Sequence, residues 1–253
     1  MRLFIRLSYC GAPFCGWQSQ TGAPSVQSTL ERALSIAFGE EIRVTGAGRT
    51  DSGVNARNYI AHFDTGRERI EEPDTLLRKI NAILPLSVKV FELIPVAADA
   101  HARFDATSRT YRYYIHTAKD PFATFSYLYT YPLDVDAMNI AAERLPGRRD
   151  FSCFEKSGAD NATSICNLTY ARWRRLDATH LEFTITSDRF LRNMVRAVVG
   201  TLLDVGRGKC TADEIDEILA SKDRGRAGQS VPGEALFLDE ITYPYELKSI
   251  TKD

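Results

Sequence analysis

Gly46-Ala47-Gly48-Arg49-Thr50-Asp51-Ser52-Gly53-Val54-Asn55-Ala56 lies between two strand-like runs, residues 42–44 and 58–63. Glycine at this density lets a backbone turn tightly or come close to a ligand. The loop reads either as a turn whose aspartate bonds local backbone or as a stiff support that presses one side chain, Asp51, toward a substrate. Two phosphate-binding readings fail on spacing. A P-loop ends in Gly-Lys-Ser/Thr, which is missing, and a dinucleotide fingerprint needs a third Gly where this chain has Asp51.

Outward from the loop, the chain alternates strand and helix signals. Residues 2–9 place Leu3, Ile5 and Leu7 on one face of a strand and Arg2, Phe4 and Arg6 on the other, which predicts one face in the core and one wet. Pro24 and Ser25 open a helix carrying Val26, Leu30, Ala33, Leu34, Ala37 and Phe38, and Gly39 closes it. A helix is expected over 74–84, ending before Pro85, and a strand over 88–94. The second half begins again with a strand at 109–117. A helix at 135–145, a polar loop at 150–164 and paired strands at 165–176 and 181–186 follow. Helices at 190–205 and 212–220 and a last strand at 236–243 complete it. This order predicts an α+β protein of two similar halves, ferredoxin-like, that share an extended, mostly antiparallel sheet with the active-site cleft between them. The expected division is residues 1–105 and 106–253.

Composition narrows the class. The 253 residues are 44% hydrophobic and 26% charged, enough for a core under an ordinary wet surface. No run approaches the roughly 20 apolar residues that span a bilayer. The N-terminus reads as a strand rather than a leader, which predicts a cytoplasmic protein. Five scattered cysteines, Cys10, Cys15, Cys153, Cys166 and Cys210, form no C-x-x-C pair, so no zinc site or disulfide framework is expected. They read as free, mostly buried thiols. Net charge is −1, yet 24 of the 32 basic residues are Arg, the side chain whose planar fork suits phosphate and stacks on bases.

Four constellations are candidates for chemistry. Asp51 can serve as nucleophile, general base or metal ligand, and its loop offers no further carboxylate or His for a metal. Arg189, Arg192 and Arg196 fall within about 60° on a helical wheel, either as a solvated face or with Arg196 reaching a carboxylate, for which Asp51 is the natural candidate. Tyr111-Arg112-Tyr113-Tyr114 puts Tyr111 and Tyr113 on one strand face, as packing or as a stacking platform for an unpaired base. Arg172, Arg174 and Arg175 around Trp173, with Arg148 and Arg149, are compatible with a groove that tracks phosphates.

Together these stretches resemble the tRNA pseudouridine synthase A family. The loop matches that family's G-A-G-R-T-D-x-G-V-x-A pattern. The resemblance continues through Gly16-Trp17-Gln18, His62-Phe63-Asp64-Thr65, residues 101–111, Asp150-Phe151-Ser152, Phe190-Leu191-x-x-Met194-Val195-Arg196 and Leu236-Phe237-Leu238. It implies isomerisation of uridine to pseudouridine in the tRNA anticodon stem-loop at positions 38, 39 and 40. It also implies a homodimer that binds tRNA, without metal or organic cofactor. By the same resemblance Asp51 is the catalytic aspartate, Tyr111 stacks on the target base, Arg196 pairs with the aspartate, and Arg49 and Leu236 line the substrate site. Family members commonly carry Ala at Ser52, His at Asn55 and Tyr-His at Arg192-Asn193.

Overall fold

The computed structural model describes residues 1–156, 158 and 162–252. In chain order the elements are β1 (Arg2–Tyr9), α1 (Val26–Phe38), β2 (Val44–Gly46), β3 (Asn55–Asp64), α2 (Pro73–Ile83) and β4 (Val88–Val96). They continue with β5 (Ser108–His116), β6 (Tyr127–Leu128), α3 (Val135–Ala142), β7 (Gly147–Asp150), β8 (Ile165–Arg175) and β9 (His180–Ser187). The chain ends with α4 (Met194–Gly206), α5 (Glu214–Ser221) and β10 (Leu236–Thr242). The protein is α+β, as expected, and its strands are mostly antiparallel. Among the described residues no helix is long and apolar enough to cross a membrane.

The chain forms two compact units, Met1–Thr107 with Leu238–Asp253, and Ser108–Phe237. Residues 238–253, assigned to the second half from the sequence order, belong to the first. Their backbone is tied there: the Ile250 N–H donates to the Leu93 carbonyl at 3.0 Å, and the Lys252 N–H donates to Asp74 Oδ1 at 2.8 Å.

In the first unit β1 lies between β3 and β4, antiparallel to both. Helix α1 starts where the Ser25 hydroxyl accepts the Ser28 N–H and stops at Gly39, φ +74, an end that glycine reaches without strain. Phe38 of α1 packs edge-on against Phe63 of β3 at 5.3 Å, which sets the helices against the face that carries Leu3, Ile5 and Leu7. The opposite face is not wet throughout. Phe4 is fully buried because His62, its cross-strand partner, and Tyr243 cover it, with ring centroids 6.1 and 5.4 Å away. The segment after β4 closes over them. His62 Nδ1 accepts the Ala102 N–H at 3.1 Å, and the Tyr243 hydroxyl donates to the Ala102 carbonyl at 2.6 Å. Burial first, then the neighbouring His101, pushes the His62 imidazole down to about 4, so near neutral pH it is an uncharged acceptor.

The second unit orders its strands β5-β9-β8-β7, with β6 parallel to β5. Asn139 of α3 grips the β8 backbone at Trp173, accepting its N–H at 2.8 Å and donating to its carbonyl at 3.1 Å. Trp173 is therefore buried on the helix face, 5.0 Å from Phe183, while its neighbours Arg172 and Arg174 point the other way and are exposed. On that outer face the buried Glu182 pairs with Arg112 at 3.1 Å and Arg174 at 3.2 Å. Strands β6 and β7 were not anticipated; they are two and four residues long, too short for a pattern of two to register. The expected polar loop 150–164 holds a 3-10 turn at Ser152–Phe154 with Phe151, Cys153 and Phe154 buried, and residues 157 and 159–161 lie outside the described ones.

Candidate active site

Asp51 sits in the eight-residue connection between β2 and β3, antiparallel partners that pair Val44 with Phe63 and Gly46 with Ala61. The Ala47 N–H extends that ladder to the Ile60 carbonyl at 2.9 Å. The chain then leaves the sheet and closes a turn from the Val54 N–H to the Asp51 carbonyl at 3.2 Å, with Gly53 at φ +78. Asp51 is half-buried, whereas Arg49 and Ser52 are exposed.

What fixes this loop comes mostly from elsewhere in the first unit. The Trp17 N–H donates to the Thr50 carbonyl at 3.2 Å, and the Tyr9 and Thr50 hydroxyls share a hydrogen bond at 2.9 Å. Trp17 stacks on Tyr59 at 4.1 Å, and the Tyr59 hydroxyl donates to the Gly48 carbonyl. Gly16 is decisive. Its φ is +95, and a Cβ there would stand 2.5 Å from the Thr50 oxygen, closer than real side chains come, and 3.2 Å from the Asp51 carbonyl carbon. The glycine that brings backbone up to Asp51 is thus Gly16, outside the loop. Gly48, inside it, has open space where a Cβ would point. Asn55 is buried, and its Oδ1 accepts the Gly11 N–H at 2.8 Å, so this side chain ties the same two loops together.

Tyr111, Arg196 and Leu236 are carried by the second unit. Tyr111 projects from β5, opposite Ile185 of β9, half-buried and edge-on to Phe190 at 5.0 Å. Tyr113, two residues on and on the same face, is buried and donates its hydroxyl to the Pro232 carbonyl at 3.0 Å. Burial drives its phenol well above the usual range, and the Arg196 charge counters this only in part. Arg196 lies in the first turn of α4, where its Nε donates to the Val231 carbonyl at 2.7 Å. Leu236 opens β10 and is buried; its N–H reaches the Gly233 carbonyl at 2.9 Å. The stretch 228–236 therefore joins the first half of α4 to β5, since the Tyr114 N–H also bonds the Ala235 carbonyl at 3.1 Å.

The arginine stripe is not on one helix. Expected from Phe190, α4 begins at Met194, because Asn193 takes a left-handed conformation, φ 65. Arg189 and Arg192 precede that break, and Arg196 alone of the three is helical. The basic groups near Trp173 are also partly paired: Arg149 meets Asp216 at 3.1 Å, and Arg174 meets Glu182. Trp173 is buried on the opposite face, and the aromatic that alternates with Arg172 and Arg174 on the outer face of β8 is the exposed Tyr170. All five cysteines are free, but Cys153 and Cys166 alone are buried; Cys15 is exposed, and Cys10 and Cys210 are half-buried. The aromatic support of the Asp51 loop, Trp17 on Tyr59, joins residues too far apart in the chain for local spacing to pair them. The adjacent Gly16-Trp17 pair was its visible signal.

Comparison with known proteins supplies the class. A family model described as tRNA pseudouridine synthase matches residues 141–244. The chain is similar over nearly its whole length to proteins called tRNA pseudouridine synthase A. It is 48% identical to that of Porphyromonas gingivalis over 248 residues, 97% of this chain and 98% of the relative. It is 48% identical to that of Parabacteroides distasonis, covering 97% of each. It is 46% identical to that of Bacteroides fragilis, covering 97% of this chain and 98% of the relative. The fold and these matches define an RNA-modifying isomerase. The chain belongs to the tRNA pseudouridine synthase A family.

Proposed function

We propose that this protein isomerises uridine to pseudouridine in the anticodon stem-loop of tRNA, at positions 38, 39 and 40, with Asp51 as nucleophile. The reaction breaks the bond from ribose C1′ to N1 and makes one from C1′ to C5. N1 gains a proton and C5 loses one, so nothing is added overall. The uracil has to leave its stack, turn and reattach, which demands a carboxylate held in place and surfaces that receive an unstacked base.

The observation that carries this reading is the immobilised setting of Asp51. Its loop is clamped by the Trp17 N–H on the Thr50 carbonyl and by the close approach of Gly16. A fixed carboxylate avoids reorganisation when the sugar or base reacts. Tyr111 stacks on the target base, and Leu236 gives it an apolar wall. Arg49, exposed two residues before Asp51, takes up the flanking backbone. Arg196 supplies a planar cationic fork to the reacting centre. The enzyme works in the cytoplasm as a homodimer on tRNA.

The test is a nucleotide-resolution map of pseudouridine in an unmodified tRNA transcript carrying uridines inside and outside the anticodon arm. Conversion confined to positions 38–40 is expected. Conversion elsewhere, or none, contradicts the assignment.

A further inference from the structure

We propose that Ser230 is a positioning residue for the reaction, acting through Arg196; this rests on the role given to Arg196 above. Residues 228–232 have no regular secondary structure, yet they lie along α4 as a strap bonded at almost every residue. The Gly228 N–H donates to Thr201 Oγ1 at 2.8 Å. The Val231 N–H donates to the Arg196 carbonyl at 3.2 Å, and Arg196 Nε returns a bond to the Val231 carbonyl at 2.7 Å. The Pro232 carbonyl accepts from the Tyr113 hydroxyl at 3.0 Å. At Gly200 a Cβ would fall on the Gln229 carbonyl oxygen, so the strap runs directly against the helix backbone.

Ser230 is the side-chain anchor of this strap and the neighbour of Val231. Its Oγ accepts from Asn193 Nδ2 at 2.6 Å and from Arg224 Nη2 at 2.9 Å. Arg224 also donates Nη1 to the Ala227 carbonyl at 3.2 Å, which pins the segment leading into the strap. Asn193 stands in its left-handed conformation immediately before α4, so the same residue ends the preceding turn and holds the strap. A guanidinium is planar and rigid. With Nε bonded to the Val231 carbonyl, the range of directions open to the two Nη groups is narrowed. The aim of Arg196 therefore depends on where the Val231 peptide sits, and Ser230 with its two donors helps to fix that. Removing the hydroxyl leaves one amide and one charged donor without their acceptor. The strap, having no ladder of its own, shifts.

The test is steady-state turnover of an unmodified tRNA transcript by the full-length protein, with Arg196→Lys as reference. Ser230→Ala is expected to lower kcat about tenfold or more, because small misplacements of a catalytic group are costly, and to leave KM within about twofold. Ser230→Thr, which keeps the hydroxyl, restores most of kcat. Asn193→Ala lowers kcat in the same sense, and the Ser230→Ala/Asn193→Ala pair is less than additive. Should Ser230→Ala fail to fold by circular dichroism, Asn193→Ala decides by the same readout. Normal kcat in Ser230→Ala with an impaired Arg196→Lys overturns this inference alone. Normal kcat in Arg196→Lys overturns the role of Arg196 and this inference with it. A loss confined to KM, or equal losses in Ser230→Ala and Ser230→Thr, also overturns it.

Discussion

The Asp51 loop and the N-terminal end of α4 at Arg196 solve one problem, holding a charged side chain still, by different means. Around Asp51 the restraint is chiefly close packing, backbone against backbone and ring against ring, with hydrogen bonds from Tyr9, Tyr59 and Asn55 beside it. The Trp17 N–H takes the Thr50 carbonyl, Gly16 fits where no Cβ does, and Trp17 stacks on Tyr59. Around Arg196 the restraint is a set of side-chain hydrogen bonds, from Arg196 itself, Thr201, Ser230, Asn193 and Arg224. Steric clamps fail by overcrowding, and hydrogen-bonded straps fail by losing a partner. The two regions therefore differ in which substitutions break them.

The largest difference is expected at Arg196. Arg196→Lys keeps the charge and loses both the fork and the Nε bond to Val231. Its kcat on a tRNA transcript is expected to fall about a hundredfold or more, with the folded state intact by thermal melt. An unchanged kcat removes Arg196 from the reaction. Gly16→Ala probes the steric clamp. With φ +95 and the Thr50 oxygen 2.5 Å from the new Cβ, the cost is about 2 kcal/mol of stability or more. Calorimetric melting reads it directly, and a melting temperature equal to wild type shows that the clamp yields.

Acid sharpens the comparison in a third way. The strap itself, Gly228-Gln229-Ser230-Val231-Pro232, carries no ionisable side chain. The cover over Phe4 in the first unit depends on neutral His62, held at about 4 by burial and by the nearby His101 and Arg2 charges, against opposing Asp64 and Asp105. The folded pKa lies below that of the unfolded chain. The unfolded state thus binds more protons between about 6.5 and 4, and stability is full above that window and lost as pH falls through it. On the order of 1 kcal/mol is expected to go between pH 7 and pH 5 from this group. His62→Asn keeps an acceptor for the Ala102 N–H without the titration, so denaturant unfolding of the variant should depend less on pH. Identical pH dependence in the two proteins contradicts the assignment.

Much of this was legible in the sequence where the signal is local. The alternation of residues 2–9 gave β1, Ser25 and Gly39 bounded α1 to the residue, and the strand of Tyr111 and Tyr113 followed from a period of two. What was not legible depends on partners far along the chain. Phe4 alternates as an outward residue, and it is buried by His62 of β3 and by Tyr243, at the other end of the sequence. The glycine-rich loop drew attention to its own glycines, while the one that limits Asp51 most closely, Gly16, comes from a different loop. The periodicity of residues 190–205 carries no sign of the left-handed Asn193, because hydrophobic spacing continues across a break that is purely a backbone angle. The ends of elements were therefore less readable than their middles, and α4 began four residues late for that reason.

In the proposed reaction Asp51 does chemistry rather than shape the loop. Asp51→Asn changes the charge while nearly preserving size, so the Trp17 and Gly16 contacts with the neighbouring backbone stay in place. The direct measurement is pseudouridine formed per enzyme in single turnover on an unmodified tRNA transcript, alongside the Kd for the same transcript. No detectable pseudouridine and a Kd within a few fold of wild type are expected. Pseudouridine formation at a rate near wild type, with Asn at this position, would contradict this role.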